Sequence, residues 1–325
     1  MNARRLISAA ALTGAVALGA TALTACSGAS APGADEDGKL HVTASFYPMQ
    51  FLAEQIGKEH VKVTSLTKPG VEPHDLEITP KQTGQLGASD LVVYLKGLQP
   101  AVDKAVAQSG VKNTVDAATL TELEVHAGAG HEGHEHAQEG EPSGHDHDHG
   151  EAGADPHVWL DPAKYAEIAK GVGAALEKAD PAHAADYRKN TDELTGKLTA
   201  LDTEFKDGLG NSASKTFITT HSAFGYLAER YGLDQEGISG VDPESEPSPA
   251  RMKELQALAK KDNVSTVFFE TLASDKTAKS LAADTGLKTD VLDPLEGITD
   301  SSQGADYFAV MRSNLKNLQK ALGTK

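Results

Sequence analysis

Thirteen histidines and one cysteine stand in this chain of 325 residues, and the histidines fall into distinct settings. Seven of them, His126, His131, His134, His136, His145, His147 and His149, crowd into the 24 positions from 126 to 149. The alternation His145-Asp-His-Asp-His149 offers imidazole nitrogens and carboxylate oxygens to borderline divalent cations such as Zn²⁺. Three others sit singly in loops. His74 lies in Pro69-Gly-Val-Glu-Pro-His-Asp-Leu-Glu77, His157 in Asp155-Pro-His-Val-Trp-Leu-Asp-Pro162, and His221 closes the apolar run Thr216-Phe-Ile-Thr-Thr220. A lone histidine is commonly a surface or hydrogen-bonded residue. Three at the rim of one crevice make a nitrogen-rich metal centre, completed by a carboxylate or by water. Asp293, in Val291-Leu-Asp-Pro-Leu-Glu-Gly297, is the first candidate for that fourth position and Glu270 the next. His41, His60 and His183 have no such setting and read as ordinary surface residues.

The elements that must position these groups follow from the apolar patterning. Segments 41–47, 61–66 and 91–95 read as strands in the first half, and 216–220, 266–269 and 288–292 in the second. Helical patterns alternate with them, including 222–231, 248–261 and 275–285, which predicts an α/β fold with largely parallel sheets. In such sheets the crevice beyond the carboxyl ends of the strands is the usual ligand site, and His74 and His221 both follow strands. Between the halves, Tyr187, Thr191, Leu194, Leu198, Leu201, Phe205 and Leu209 recur at helical spacing after the start signal Asp180-Pro181. A helix of about 28 residues spans roughly 42 Å, long enough to cross two lobes. The expected organisation is a first lobe at 40–180, a linking helix at 181–209 and a second lobe at 210–325. Within the first lobe, residues 126–155 carry no Lys or Arg and few apolar side chains, which predicts a disordered insert. Its histidines should form weak, multiple metal sites, because no geometry is built in advance.

The amino-terminal region reads as an address. Arg4 and Arg5 precede an apolar, small-residue stretch that is short for a membrane span. Leu23-Thr-Ala-Cys26 resembles a bacterial lipobox, so residues 1–25 are expected to be a leader and Cys26 the lipidated first residue. Residues 26–39 would then be a flexible tether. The formal charge is −17, and removing residues 1–25, which hold two arginines and no acid, takes it to −19. That balance argues against a nucleic-acid partner and favours a cation. A single cysteine rules out a disulfide framework and a cysteine-rich zinc module.

Taken together, several motifs resemble the metal-binding lipoproteins of bacterial ABC importers, in the zinc-uptake branch of the cluster A-I substrate-binding family. They are Phe46-Tyr-Pro48, Gly70-Val-Glu-Pro-His-Asp75, Asp90-Leu-Val-Val93, Asp155-Pro-His-Val-Trp-Leu-Asp-Pro162, Thr220-His-Ser-Ala-Phe-Gly-Tyr226, Glu246-Pro-Ser-Pro249 and Phe269-Glu-Thr271. The resemblance covers residues 40–322 and departs at Tyr94-Leu-Lys-Gly97, where the family commonly has Asn-Gly. It implies two α/β lobes joined by a rigid long helix, with metal held in the cleft by His74, His157 and His221. The family's fourth position varies between a carboxylate and solvent, and Asp293 falls there. Manganese-type members tend to carry a glutamate where this chain has His221, and zinc members often carry an acidic, histidine-rich loop.

The implied function is extracytoplasmic capture of Zn²⁺ by a monomer, lipid-anchored to the bacterial cell membrane, and delivery to an importer permease. No Gly-x-x-x-x-Gly-Lys-Ser/Thr motif is present, so the ATPase is expected on a separate chain. The alternatives are a manganese-binding homologue and a surface adhesin or metal buffer. A zinc hydrolase is disfavoured, since neither His-Glu-x-x-His nor Gly-x-Ser-x-Gly occurs. Protons compete with metal for imidazole nitrogen, so affinity should fall as pH drops through about 6.5.

Overall fold

A computed structural model of the chain describes residues 38–126 and 153–324. The leader, Cys26, most of the tether and six histidines of the insert (His131, His134, His136, His145, His147 and His149) lie outside the described residues. No described helix is long and apolar enough to cross a membrane.

The first half contains β1 (Leu40–Ala44), α1 (Tyr47–Gly57), β2 (Val61–Ser65), α2 (Pro80–Ala88), β3 (Leu91–Tyr94), α3 (Pro100–Ser109), β4 (Thr114–Asp116) and α4 (Pro162–Ala179). After α5 (Ala184–Leu209) come β5 (Thr216–Thr219), α6 (Gly225–Tyr231), β6 (Asp234–Gly237), α7 (Pro249–Lys261), β7 (Thr266–Phe269), α8 (Lys276–Thr285), β8 (Lys288–Val291) and α9 (Tyr307–Leu322). Each half folds its strands into one four-stranded sheet, in the orders β2-β1-β3-β4 and β6-β5-β7-β8. All pairings are parallel. The two lobes therefore share one winding. Both sheets turn their carboxyl ends, and the loops carrying His74 and His221, to the crevice side. The strands β4 and β6 were not anticipated from sequence. Both are sheet edges, and Thr-Val-Asp and Asp-Gln-Glu-Gly offer almost no apolar signal because much of each strand faces solvent.

Local chemistry starts the helices. Proline stands in the first turn of α2, α3, α4 and α7, where its missing N–H costs nothing. Thr79 and Gln82 close a capping box on α2, and Asp161, Ser248 and Asp306 cap α4, α7 and α9. One continuous apolar cluster runs from Leu40 to Leu322 through both lobes. Separate patches fill the outer faces, around Val92 and Leu86 in the first lobe and Val267 and Leu281 in the second.

α5 carries the connection. Its buried face comprises Tyr187, Thr191, Leu194, Leu198, Leu201, Phe205 and Leu209, the residues picked out by periodicity, with Asn190 and Asp202 added. Its first half packs on α1 and α4, its second on α6 and α9. Asn190 donates to the Ile56 carbonyl at 2.9 Å, and Arg312 of α9 grips Glu204 through two hydrogen bonds of 2.7 and 2.9 Å. Where α4 meets α5, a Cβ on Gly173 would run into the Thr191 side chain, so glycine sets the close approach. The helix begins at Ala184 rather than at Pro181. The Asp180 carboxylate is held by His183 Nδ1 at 2.6 Å and the Tyr187 hydroxyl at 2.8 Å. Residues 181–183 form a tighter 3₁₀ turn. Over the same turn His60 stacks on His183, with ring centroids 3.9 Å apart.

Asp202 ties α5 to α6. It accepts hydrogen bonds from Arg230 at 2.8 and 3.0 Å, Lys206 at 2.7 Å and the Tyr231 hydroxyl at 3.2 Å. Burial pushes its carboxyl up, but the bonds from Arg230 and Lys206 outweigh this and hold it down at about 2. Because the folded value lies below the unfolded one of about 3.9, the stabilisation is present above that pH and is lost as pH falls towards 2. Asp202→Asn should lower unfolding free energy at pH 7 by about 1–3 kcal/mol. Urea titrations should find the gap from the parent nearly closed at pH 2; an equal gap at both pH values would show that charge is not the cause.

Candidate metal centre

Four loops converge between the lobes. His74 follows β2, His157 precedes a 3₁₀ turn (Val158–Leu160) that leads into α4, His221 follows β5 and Glu296 follows β8. The Nε2 atoms of His157, His74 and His221 stand 3.1, 3.3 and 3.4 Å from one oxygen, Glu296 Oε1. Their donor atoms all lie within 4.8 Å of one another. His157 and Glu296 are 0% exposed and His221 1%, while the His74 side chain keeps 11% and borders a cavity of about 490 Å³.

Two of the three rings are aimed by a carboxylate partner. His157 Nδ1 donates to Asp155 Oδ1 at 2.7 Å, and His221 Nδ1 to Glu270 Oε1 at 2.8 Å. A carboxylate on Nδ1 fixes the tautomer and turns the Nε2 lone pair outward, the arrangement that supports metal-ligating histidines. Glu270 is itself held by the Thr220 hydroxyl at 2.6 Å. Glu270, the second candidate for the fourth position, therefore stands behind His221 and outside the group.

Asp293, the first candidate, does not join the group either. Its Oδ1 accepts from the Leu295 amide at 2.8 Å and its Oδ2 from the Thr271 hydroxyl at 3.1 Å. Burial, opposed by these bonds, raises its carboxyl to about 6. The bond to Leu295 closes a tight turn with Leu295 at φ 60°, and three residues after Asp293 the chain presents Glu296 instead. The turn is pinned by Asn314, which bonds the Asp293 amide and carbonyl at 2.9 and 2.7 Å, and by Trp159 Nε1, which donates to the Pro294 carbonyl at 2.7 Å. Taking the acid at the strand end selects Asp293 and passes over Glu296. The signal for it was the turn sequence Asp-Pro-Leu-Glu itself.

The electrostatics suit a cation. Burial pushes the Glu296 carboxyl up, but the facing imidazoles of His157, His221 and His74 outweigh it and hold it well below the carboxylate range. Burial pulls His157 and His221 down, yet Asp155 and Glu270 respectively raise them above the ordinary imidazole value. Glu72 is pushed up to about 9 by burial and by the Glu296 charge. His221 Nε2 and Glu296 Oε2 are buried without a hydrogen-bond partner. Three imidazole nitrogens and a carboxylate oxygen pointing at one place, with orphaned atoms among them, match the four-donor shell of Zn²⁺.

His126 and Asp155, assigned from composition to the insert, belong to the folded lobes. Asp155 is fully buried between His126 and His157, and the Tyr226 hydroxyl donates to its carbonyl at 2.8 Å.

Two parallel-sheet lobes on a long helix, enclosing a buried nitrogen-and-oxygen centre, define a solute-binding protein for a metal cation. The chain belongs to the family described as zinc-uptake complex component A, periplasmic (ZnuA), whose model matches residues 42–321. It is 38% identical over 311 residues to the high-affinity zinc uptake system protein ZnuA of Bacillus subtilis, covering 93% of this chain and 94% of that one. It is also 38% identical over 296 residues to the zinc-binding protein AdcA of Streptococcus pyogenes, covering 87% of this chain but only 56% of the longer AdcA. The Zn(II)-bound ZnuA-like domain of Streptococcus pneumoniae AdcA superposes with a TM-score of 0.71 at 31% identity, over 87% of this chain and 99% of that one.

Proposed function

We propose that this chain captures Zn²⁺ outside the cytoplasm and hands it to the permease of an ABC importer whose ATPase is a separate chain. The observation that carries the reading is the convergence of His74, His157 and His221 Nε2 on Glu296 Oε1 in a buried cleft. In this reading those three histidines and Glu296 are the ligands, Asp155 and Glu270 orient two of them, and zinc is cargo. The nitrogen-rich set favours Zn²⁺ over Mn²⁺, which prefers more oxygen donors. The family description and the relatives' names support the same metal. Four protein donors in a buried site favour holding the ion over activating water, so the protein binds and does not catalyse. Cys26 is the lipid attachment point in this reading, 26–39 the tether, and the protein acts as a monomer. The histidines of the insert add weak sites.

Competitive titration of the purified chain with Zn²⁺ and Mn²⁺ tests this. One tight equivalent should go to zinc even with manganese in tenfold excess. Equal occupancy by the two metals would favour the manganese alternative.

A further inference from the structure

A second group of metal-type donors lies outside the cleft. Glu124, His126 and Glu229 place one donor atom each within 4.8 Å of one another. His126 Nε2 is 2.9 Å from Glu229 Oε2 and 3.8 Å from Glu124 Oε2, while Glu124 Oε1 pairs with Lys164 at 2.7 Å. On the other side of the ring, His126 Nδ1 donates to Asp155 Oδ2 at 2.8 Å. Asp155 thus serves two histidines at once, Oδ1 aiming His157 into the cleft and Oδ2 aiming His126 at the two glutamates. The carboxylate–histidine arrangement that supports a bound metal occurs twice on one aspartate.

The ring is also held in place. It packs edge-on to Tyr226, with centroids 4.4 Å apart, and against Gly225, where a Cβ would meet His126 Cγ at 2.5 Å. With Nδ1–H donated to Asp155, His126 Nε2 faces the two carboxylates and hydrogen-bonds to Glu229 Oε2, and a cation can take the place of the proton between them. A cation between them satisfies all three. Lys164 reaches the far oxygen of Glu124 and leaves the near one facing the ring.

We infer that Glu124, His126 and Glu229 form a second divalent-cation site, weaker than the cleft and suited to Zn²⁺ with solvent filling its remaining positions. One imidazole and two carboxylates are a leaner set than three imidazoles and a carboxylate, and the Glu229 side chain is 62% exposed. In sequence, His126 directly precedes the segment that carries His131 to His149. Glu124 and His126 come from the first lobe and Glu229 from α6 of the second, so an ion here bridges the lobes.

Anomalous scattering at the zinc edge, from crystals of the full chain grown with excess Zn²⁺, tests the site. Two peaks are expected in the ordered chain, one in the cleft and one among Glu124, His126 and Glu229. Glu229→Ala, an exposed change on a helix, should abolish the second peak and leave the cleft peak. A cleft peak alone in the parent protein would show an imidazolium ion pair in place of a metal site, and a second peak that survives Glu229→Ala would refute the ligand set. Absence of the cleft peak would count against the proposed function and not against this site.

Discussion

Glu296→Gln should weaken zinc binding in the cleft by about 100-fold or more, equivalent to about 2.7 kcal/mol, whereas Asp293→Asn should change it far less. The contrast follows from position. Glu296 Oε1 is the atom on which three Nε2 donors converge, and its charge is the one compensated by a cation. Glutamine keeps the volume and removes the charge, leaving Zn²⁺ with three neutral imidazoles and a weaker oxygen. Asp293 spends its carboxylate on Leu295 and Thr271, so its amide analogue can still accept from Leu295 and hold the turn. Competition calorimetry with a chelator of known affinity measures both. A larger loss from Asp293→Asn than from Glu296→Gln would restore Asp293 as the fourth ligand.

His157→Ala and His221→Ala should each weaken the same site by at least about tenfold, or 1.4 kcal/mol. Both rings are buried and each sits on a buried carboxylate. Removing His157 takes away a nitrogen donor and leaves Asp155 Oδ1 without its side-chain partner in a fully buried place. Asp155 keeps His126 and the residue-157 amide, whereas removing His221 leaves the buried Glu270 with only the Thr220 hydroxyl, so the fold is expected to lose stability in both and more in His221→Ala. His74 is the most exposed of the three and should show the smallest stability change on replacement by alanine. Zinc titration alongside thermal unfolding separates the two effects. Normal zinc affinity in His221→Ala would remove the second lobe's histidine from the site.

Much of this architecture can be read from residue order because the signals are local. Helical spacing from Tyr187 to Leu209 marks the buried face of α5, and the apolar patterning marks six of the eight described strands. The three histidines stand out by type and by the loops that carry them. The rest depends on geometry that no local pattern encodes. Glu296 reaches the centre only because the Asp293–Leu295 bond and a positive φ at Leu295 bend the loop, and Trp159 from the other lobe fixes it there. Asp155 and His126 have the composition of the insert beside them, and only their contacts with His157, Tyr226 and Glu229 show that they belong to the lobes. Strands β4 and β6 are short and carry at most one apolar side chain, so patterning does not mark them, whereas the equally polar edge strand β8 is marked by the apolar Val291-Leu292 at its end.

The central claim is that one zinc ion is held by His74, His157, His221 and Glu296. X-ray absorption at the zinc edge, on protein loaded with a single equivalent, tests it most directly. The account predicts three imidazole nitrogens at about 2.0–2.1 Å with carboxylate oxygen completing the shell, and a changed oxygen contribution in Glu296→Gln. Fewer than three imidazoles, or a spectrum unaltered by Glu296→Gln, would contradict it.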